Sequence, residues 1–327
     1  MAKTDIIEMV KENIKGKNYK IVFPEGEDPR VLRAALRHKE EGHIVPILLG
    51  DHGQIQKTAD KEGVKLGDIK IINPRYAEDF DELVDAFVER RKGKNTEEDG
   101  RYLLKNPNYY GVMMVQTAKA DGMVSGATRP TGDTVRPALQ IIKTKPGVKR
   151  TSGAMIMLGP NGERLLFADT AINISLQSHE LAEIAIEAAK TAELFDIEPI
   201  VAMLSFSTMG SANSEEVHKV SEATKLAKEK APDLMLDGEM QFDAAIAPEV
   251  AAQKAPNSPV AGKAKVFVFP ELGAANIGYK IGQRLGGYQA LGPILQGLNK
   301  PVNDLSRGCN EEDVYKLALL TANQVED

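Results

Sequence analysis

Short apolar runs alternate with helical patterns along almost the whole chain, and this alternation constrains the fold more than any other feature. YKIVFP (19–24), IVPILLG (44–50) and IKIINP (69–74) have the length and β-branched content of buried strands. Between the first two, DPRVLRAALRHKEEG (28–42) reads as a helix opened by a capping Asp with Pro next, and a polar helix follows near 51–62. Helices are expected near 78–92, 96–106 and 109–120, then a short strand, GMVSG (122–126), that enters a Gly-rich turn before a helix over 133–144. Strands and helices that alternate in this way build an α/β fold with a largely parallel sheet covered on both faces.

At 327 residues the chain exceeds what one ordinary core organises, so two domains are expected. The character changes at KPGVKRTSG (145–153), after which AMIML (154–158) and RLLFAD (164–169) flank the turn GPNGE as a β-hairpin. Helices at 178–193, 213–230, 241–253 and 272–285, strands at 199–204 and 265–269, an apolar run at 288–293 and a last helix at 310–325 follow. The reading is a first α/β domain over 1–147 and a second over 148–303. LNKPVND (298–304) has the composition of a crossover that returns 304–327 to the first. KIVFPEGED (20–28) and KVFVFPELGA (265–274) both place Pro-Glu straight after an apolar strand, a short echo that either two related half-domains or a chance match would give.

Composition excludes several function classes. The net charge is -6, Trp is absent and aromatics are 5%, which argues against a nucleic-acid surface or an anionic-membrane surface. A single Cys gives no internal disulfide and no Cys-based metal cluster. The N-terminal segment is amphipathic and of mixed charge, without the apolar core of a signal peptide, and no run approaches the ~18–20 apolar residues that span a membrane. A reducing cytoplasm is the expected compartment.

GxGxxG, the Walker GxxxxGK[ST], HExxH and GxSxG are all missing, and no two of the five His residues lie at metal-ligand spacing. In DGMVSGATRPTGDTVRPALQ (121–140) a strand ends at Ser125-Gly126, and a loop with Thr128 and Arg129 leads to a helix near Asp133 that carries Arg136. Small residues after a strand let backbone N–H groups approach an anion, so this loop reads as a phosphate site. An ordinary strand–turn–helix with Asp133 as N-cap fits the spacing equally. LSRGCNEED (305–313) is the second candidate: Asn310 is a good N-cap, Asp313 then stands where a capping box closes, and Ser306-Arg307 precede the helix as oxyanion or phosphate donors. Ser306 has no His nearby to act as a base, and Cys309 is either a thiol activated by Arg307 and the helix start or a small packing residue. In FPELGAANIGYKIGQRLGG (269–287), Asn276, Lys280 and Arg284 share a helical face, either an anion-lined wall or a solvated one. MLSFSTMGSANSEEV (203–217) reads as a strand end, a small polar loop and a helix capped by Ser211 or Asn213; at 178–179 a cap role is expected of the Ser-His pair. ERRKGK (89–94) is a basic cluster after a helix.

Together DGMVSGA…DTVRPALQIIKT, PELGAANIGYKI, DGEMQFDAA (237–245) and VNDLSRGC…D resemble the phosphate acetyltransferase (phosphotransacetylase) family in order and approximate spacing, over nearly the whole chain. The resemblance implies two Rossmann-like α/β domains of the isocitrate and isopropylmalate dehydrogenase type, a site in the interdomain cleft and a homodimer. It implies reversible acetyl transfer between coenzyme A and orthophosphate, with CoA, acetyl-CoA, acetyl phosphate and phosphate as the small-molecule substrates. No bound metal or prosthetic group is implied, although potassium or ammonium activates many members. By the same resemblance, CoA's own thiol is the nucleophile, Asp313 its base, Ser306 a donor to the transition state and Arg307 the group that binds and polarises substrate. Arg136 and Arg91 match further substrate-binding arginines, with Arg90 adjacent to the latter, and Cys309 has no required role. Ser125, Gly126, Thr128, Asn276 and Lys280 complete the expected substrate-binding set. Alternative readings are a phosphate butyryltransferase, a nicotinamide-linked decarboxylating dehydrogenase of similar architecture, and a non-catalytic acetyl-CoA-binding module.

Overall fold

The computed structural model describes residues 5–326 and divides the chain into two units: residues up to Lys145 with those from Leu298 onward, and Pro146–Gly297. In the first unit the chain runs through α1 (Ile6–Ile14), β1 (Lys20–Phe23), α2 (Pro29–Glu41), β2 (Val45–Leu49), α3 (His52–Glu62) and β3 (Lys70–Ile72). It continues through α4 (Phe80–Arg91), α5 (Glu97–Leu103), α6 (Pro107–Gln116), β4 (Gly122–Ser125) and α7 (Thr131–Pro137), which passes into a π-helical turn over Ala138–Ile142. Local chemistry sets these boundaries. The side chains of Asp28, Asp51, Thr96 and Asn106 each accept a backbone N–H at a helix start, and Gly42 and Gly63 end α2 and α3 in the left-handed conformation. The expected N-cap Asp133 is instead inside the first turn of α7, because Pro130 occupies the cap and the helix begins at Thr131.

The second unit opens with the expected hairpin, β5 (Ser152–Leu158) and β6 (Arg164–Ala168). There follow α8 (Ser178–Leu194), β7 (Val201–Leu204), α9 (Glu215–Lys230), β8 (Leu236–Met240), α10 (Phe242–Ile246), α11 (Pro248–Lys254), β9 (Val266–Val268), α12 (Leu272–Leu285) and β10 (Gln289–Gln296). Its sheet has the order β10-β5-β6-β9-β7-β8. β10, β5 and β6 pair antiparallel while β6, β9, β7 and β8 pair parallel, so this sheet is mixed. Its core packs Met155, Phe167, Leu204, Met240 and Phe267. The helix expected over 241–253 is two helices, because Pro248 starts the second where it has no N–H to donate. The caps of α8 and α9 are Gln177 and Ser214, not Ser178-His179 or Ser211/Asn213.

The chain re-enters the first unit at Leu298, a few residues ahead of the sequence boundary at 304. It then forms β11 (Val302–Asp304) and α13 (Glu311–Asn323). The five strands of this unit are all parallel, in the order β11-β4-β1-β2-β3, over a core that includes Ile21, Phe23, Ile47, Leu48, Met113 and Met123. The order reverses direction between β1 and β4, and crevices outside the carboxyl ends of strands at such a switch point are where open α/β sheets bind ligands.

α13 is held against α2 by its first turn. Arg33 Nε donates to Glu311 at 2.7 Å, Arg37 Nη1 to Glu312 at 2.6 Å, and His38 Nε2 to the Tyr315 carbonyl at 2.9 Å, with the His38 and Tyr315 rings stacked at 4.2 Å. Burial pushes the His38 imidazole down to about 3, so it is neutral in the folded protein. Of the three acidic residues that open α13, the arginines of α2 take Glu311 and Glu312, and Asp313 alone is left without an ion pair among the described residues.

Candidate active site

Three loops leave the carboxyl ends of β1, β4 and β11. The first carries Glu25, whose carboxylate crosses the switch point to the second. Oε2 accepts the N–H groups of Gly126 at 2.8 Å and Ala127 at 2.7 Å; Oε1 accepts the N–H of Thr128 at 2.8 Å and its hydroxyl at 2.6 Å. The loop after β4 is therefore an anion cradle, as its small residues suggest, but a side chain of the protein already fills it. The N–H groups of Gly126 and Thr128 are directed at Glu25 rather than at a substrate phosphate. Ser125 is fully buried and donates its hydroxyl to Asn108 Oδ1 at 2.9 Å. Gly126, at φ +108°, could carry no side chain: a Cβ would run into Asp304 Oδ1 and the Leu305 backbone.

The third loop holds the Ser-Arg pair. Leu305 N–H donates to the Ser125 carbonyl at 2.6 Å, which continues the β11–β4 pairing one residue past the strand. Ser306 and Arg307 follow, both exposed. Ser306 Oγ accepts the Gly308 N–H at 3.3 Å and contacts no base, and the Arg307 guanidinium makes no ion pair among the described residues. Asn310 and Asp313 form the expected capping box: Asn310 Oδ1 accepts the Asp313 N–H at 2.9 Å and Asp313 Oδ2 accepts the Asn310 N–H at 3.0 Å. Asp313 is half-buried, and its second oxygen has no hydrogen bond among the described residues.

Cys309 is not an activated thiol. Burial pushes it up to about 11, and the carboxylates of Asp313, Asp28 and Glu25 add to that against the pull of Arg30. The sequence expectation that Arg307 and the helix start would lower it fails because the side chain turns into the protein. A further buried acid stands close by: Asp304, at the end of β11, is pushed up to about 6 by burial and by Glu25, against the neighbouring Thr131 and Thr134 hydroxyls.

Arg91 and Arg136 come together around Tyr109. Burial raises the Tyr109 phenol, and both arginines oppose that shift through their charge. Arg136 is exposed. Arg91 is half-buried, with Nε donating to Asn95 Oδ1 at 2.7 Å and Nη1 to the Gln140 carbonyl at 3.1 Å, while Arg90 donates to the carbonyls of Ile141 at 2.6 Å and Ile142 at 3.0 Å. Both α4 arginines thus cap the carbonyl end of the π-helical turn. Lys143, just beyond it, is held below the ordinary lysine value by Arg90 first, then by burial, Lys92, Lys94 and Arg91. None of Arg90, Arg91, Lys92, Lys94, Arg136 and Lys143 pairs with a carboxylate among the described residues, so a chain of net charge -6 keeps an uncompensated cation cluster here. Asn276 and Lys280 belong to the second unit, on α12. Lys280 Nζ donates to Asn276 Oδ1 at 2.8 Å and Asn276 Nδ2 to the Thr170 carbonyl at 3.3 Å.

Among the described residues the first unit therefore offers hydrogen-bond donors (Ser306, Arg307), a carboxylate with a free oxygen (Asp313) and cations, but no nucleophile that the protein itself activates. Sequence reasoning noted Glu25 only in the Pro-Glu echo and gave Arg30 and Asp304 no role. The available signal was the charged run Glu25, Glu27, Asp28 and Arg30 soon after buried β1, where a crevice of this sheet must lie.

A protein-family model described as phosphate acetyl/butaryl transferase matches residues 5–322. A phosphate acetyltransferase of Bacillus subtilis (strain 168) is 59% identical over 320 residues, covering 98% of this chain and 99% of the relative. Among solved structures, a phosphotransacetylase from Streptococcus pyogenes matches with a TM-score of 0.94 and 58% identity over 99% of both chains. A phosphotransacetylase from Staphylococcus aureus matches with a TM-score of 0.91 and 57% identity over 98% of both.

Proposed function

The chain belongs to the phosphate acetyl/butyryl transferase family, and we propose that it is a phosphate acetyltransferase, moving acetyl groups reversibly between coenzyme A and orthophosphate. Acetyl phosphate and CoA give acetyl-CoA and phosphate. The observation that carries this reading is the lack of an activated nucleophile beside an exposed Ser306-Arg307 pair and an available Asp313 oxygen. Such a site suits a reaction whose nucleophile arrives with the substrate.

Asp313 accepts the proton of the CoA thiol, whose pKa of order 8–9 leaves little thiolate at neutral pH. The sulfur lone pair forms a bond to the carbonyl carbon of acetyl phosphate, and the carbonyl oxygen takes up the charge. The Ser306 hydroxyl and the Arg307 guanidinium stand ready to meet that charge. The bond from carbon to the phosphate oxygen then breaks, and phosphate departs with its electron pair. Holding thiol and acyl carbon together supplies much of the remaining acceleration, up to ~7–11 kcal/mol in well-oriented cases. The cluster around Arg91, Arg136 and Lys143 suits the several phosphates of CoA. Asn276 and Lys280 are further substrate contacts in this reading.

The test is thioester formation, followed by its ultraviolet absorbance, when the purified protein meets CoA and acetyl phosphate without nicotinamide, with butyryl phosphate in parallel. Fast formation with acetyl and little with butyryl is expected. No thioester with either, from folded protein, would remove the reading. No metal or prosthetic group enters the mechanism; potassium or ammonium raises the rate, which replacement of either by sodium checks. The enzyme works as a homodimer. The stripe Ile277, Ile281 and Leu285 on α12, which is 54–85% exposed, supports this, and Leu285→Asp should yield monomers in sedimentation. Among the described residues no helix is long and apolar enough to cross a membrane. We place the enzyme in the cytoplasm, where the CoA thiol stays reduced, and cell fractionation checks it.

A further inference from the structure

Ser306 and Asp313 must keep fixed positions for this chemistry, yet Ser306 lies in a loop with few contacts of its own. Inside the loop the Cys309 N–H reaches the Ser306 carbonyl at 2.9 Å and the Gly308 N–H reaches Ser306 Oγ at 3.3 Å. The outside hold is Arg30, from the first turn of α2. Its Nη1 donates to the carbonyls of Arg307 and Cys309, both at 2.9 Å. Nη2 donates to the Ala127 carbonyl at 2.8 Å and Asp28 Oδ2 at 2.9 Å, and Nε to Asp28 Oδ1 at 3.0 Å. All five donors of the guanidinium are engaged, and the loops after β1, β4 and β11 meet on one planar group.

The two carbonyls held by Nη1 have a consequence that a simple staple would not. A trans peptide is planar, with its C=O and N–H pointing opposite ways. The peptide whose carbonyl is Arg307's carries the Gly308 N–H, which donates to Ser306 Oγ. The peptide whose carbonyl is Cys309's carries the Asn310 N–H, which donates to Asp313 Oδ2. One guanidinium nitrogen therefore orients two peptide planes, and the far edge of each holds one of the two side chains assigned to the reaction. With the Gly308 N–H on a lone pair of Ser306 Oγ, the hydroxyl proton is left to donate to substrate. With the Asn310 N–H on Oδ2, the other Asp313 oxygen is left to accept the thiol proton.

We propose that Arg30 is a positioning residue that sets Ser306 and Asp313 together, through the Arg307–Gly308 and Cys309–Asn310 peptides. This rests on the acyl-transfer reading for its effect on rate, but not for the hold itself. Arg30→Ala should lower kcat by roughly a hundredfold or more, the scale of an ångström-level misplacement, with KM values moved less than about threefold. Guanidinium ion, well below denaturing strength, should restore at least about tenfold of that loss while ammonium at equal strength does not, because only the fork reaches both carbonyls. Arg30→Lys, which keeps charge and bulk, should stay close to the alanine variant in kcat and serves as the test protein if Arg30→Ala does not fold. Independently of turnover, amide exchange at Gly308 and Asn310 should quicken in either variant and slow again with guanidinium. If the wild type makes no thioester, the acyl-transfer reading fails while the exchange arm still judges the hold. A kcat within about threefold of the wild type, a loss that guanidinium leaves untouched, or unchanged exchange at both amides would overturn the proposal.

Discussion

Replacing Glu25 should do two things at once: destabilise the first unit and uncover an anion site. The carboxylate accepts four hydrogen bonds, from the N–H groups of Gly126, Ala127 and Thr128 and from the Thr128 hydroxyl, in a buried setting. Hydrogen bonds to a charged group contribute about 1.5–3 kcal/mol each, and a buried donor left unpaired costs about 1–3 kcal/mol. The Thr128 hydroxyl can rotate to another acceptor, so the three N–H groups set the scale. Glu25→Ala should cost roughly 3–6 kcal/mol, discounted for water that enters the space, which for a unit of this size is a melting point lower by roughly 6–24 °C.

What the alanine leaves behind is a set of converging N–H groups with a hydroxyl beside them, the geometry that binds phosphate and sulfate elsewhere. Thermal melts of wild type and Glu25→Ala are to be compared in chloride and in sulfate at matched ionic strength. Sulfate raises both by exclusion from the surface, and any binding at the substrate site is common to both. The variant should gain more: an ion at 100 times its Kd adds about 2.7 kcal/mol, so the excess shift should be several degrees and should grow with the logarithm of sulfate concentration. Two results would refute the reasoning. A variant as stable as the wild type would mean that water satisfies the N–H groups as well as Glu25 does. A destabilised variant with no excess response to sulfate would mean that the loop loses its cradle shape once the carboxylate is gone.

Asp313→Asn and Ser306→Ala should each lower kcat more than they raise KM in the thioester assay, and an unchanged kcat removes the residue from the mechanism. Cys309→Ala should leave steady-state activity near the wild type, since alanine keeps the carbonyl that Arg30 Nη1 holds at 2.9 Å and loses only the longer 3.7 Å contact of Nη1 with Sγ; complete loss from a folded variant would restore a covalent thiol to consideration. Arg136→Ala should raise a substrate KM with a smaller effect on kcat. Asp304→Asn should change how stability responds to pH. The folded protein keeps the Asp304 proton up to about 6, above the unfolded value of 3.8, so this group removes stability as pH rises between them. His38, held at about 3 against 6.5, adds stability as pH rises over an overlapping range, and in the wild type the two slopes offset. Urea unfolding of Asp304→Asn should therefore fall off more steeply towards acid than the wild type between pH 4 and 6, by about 1.4 kcal/mol per pH unit, and parallel slopes would contradict it.

Helices and strands with strong local signals stand close to where the sequence places them. Asp28 before Pro29 and Gly42 at the far end bound α2 by side-chain and backbone chemistry that lies within the segment itself. What misled the reading was tertiary context. β8 has the composition LDGEM, with two acidic residues in five, and reads as a loop until Lys228 and Ser258 satisfy Asp237 and the 207–210 loop satisfies Glu239. β11 is three residues, V-N-D, whose buried Asn303 is answered by Thr321 and Gln324 of the last helix and its end. Neither strand has an apolar pattern, since partners far along the chain pay the desolvation of its polar groups.

The site divides along the same line. Asn310 and Asp313 are three residues apart, so a capping box was legible from spacing alone, and so was the small-residue cradle after β4. The occupant of that cradle was not, because Glu25 lies about a hundred residues away along the chain, and Arg30 is further still from the Arg307 and Cys309 carbonyls it holds. The Pro-Glu echo shows how little local wording decides. Glu25 reaches across the sheet to another loop, whereas Glu271, in the matching position after β9, turns back to accept the N–H groups of Gly273 and Ala274 at the start of its own helix. The same dipeptide after the same kind of strand makes a long-range brace in one unit and a helix cap in the other. What differs is the neighbour: β1 lies beside β4, whose loop presents three converging N–H groups to Glu25. A carboxylate in that cradle already holds its N–H groups, so in the proposed reaction anion binding falls to cations without a carboxylate partner among the described residues, the exposed Arg307 and Arg136 and the half-buried Arg91. That division is why the Glu25 substitution, rather than any arginine substitution, separates the cradle's structural anion from the reaction's own.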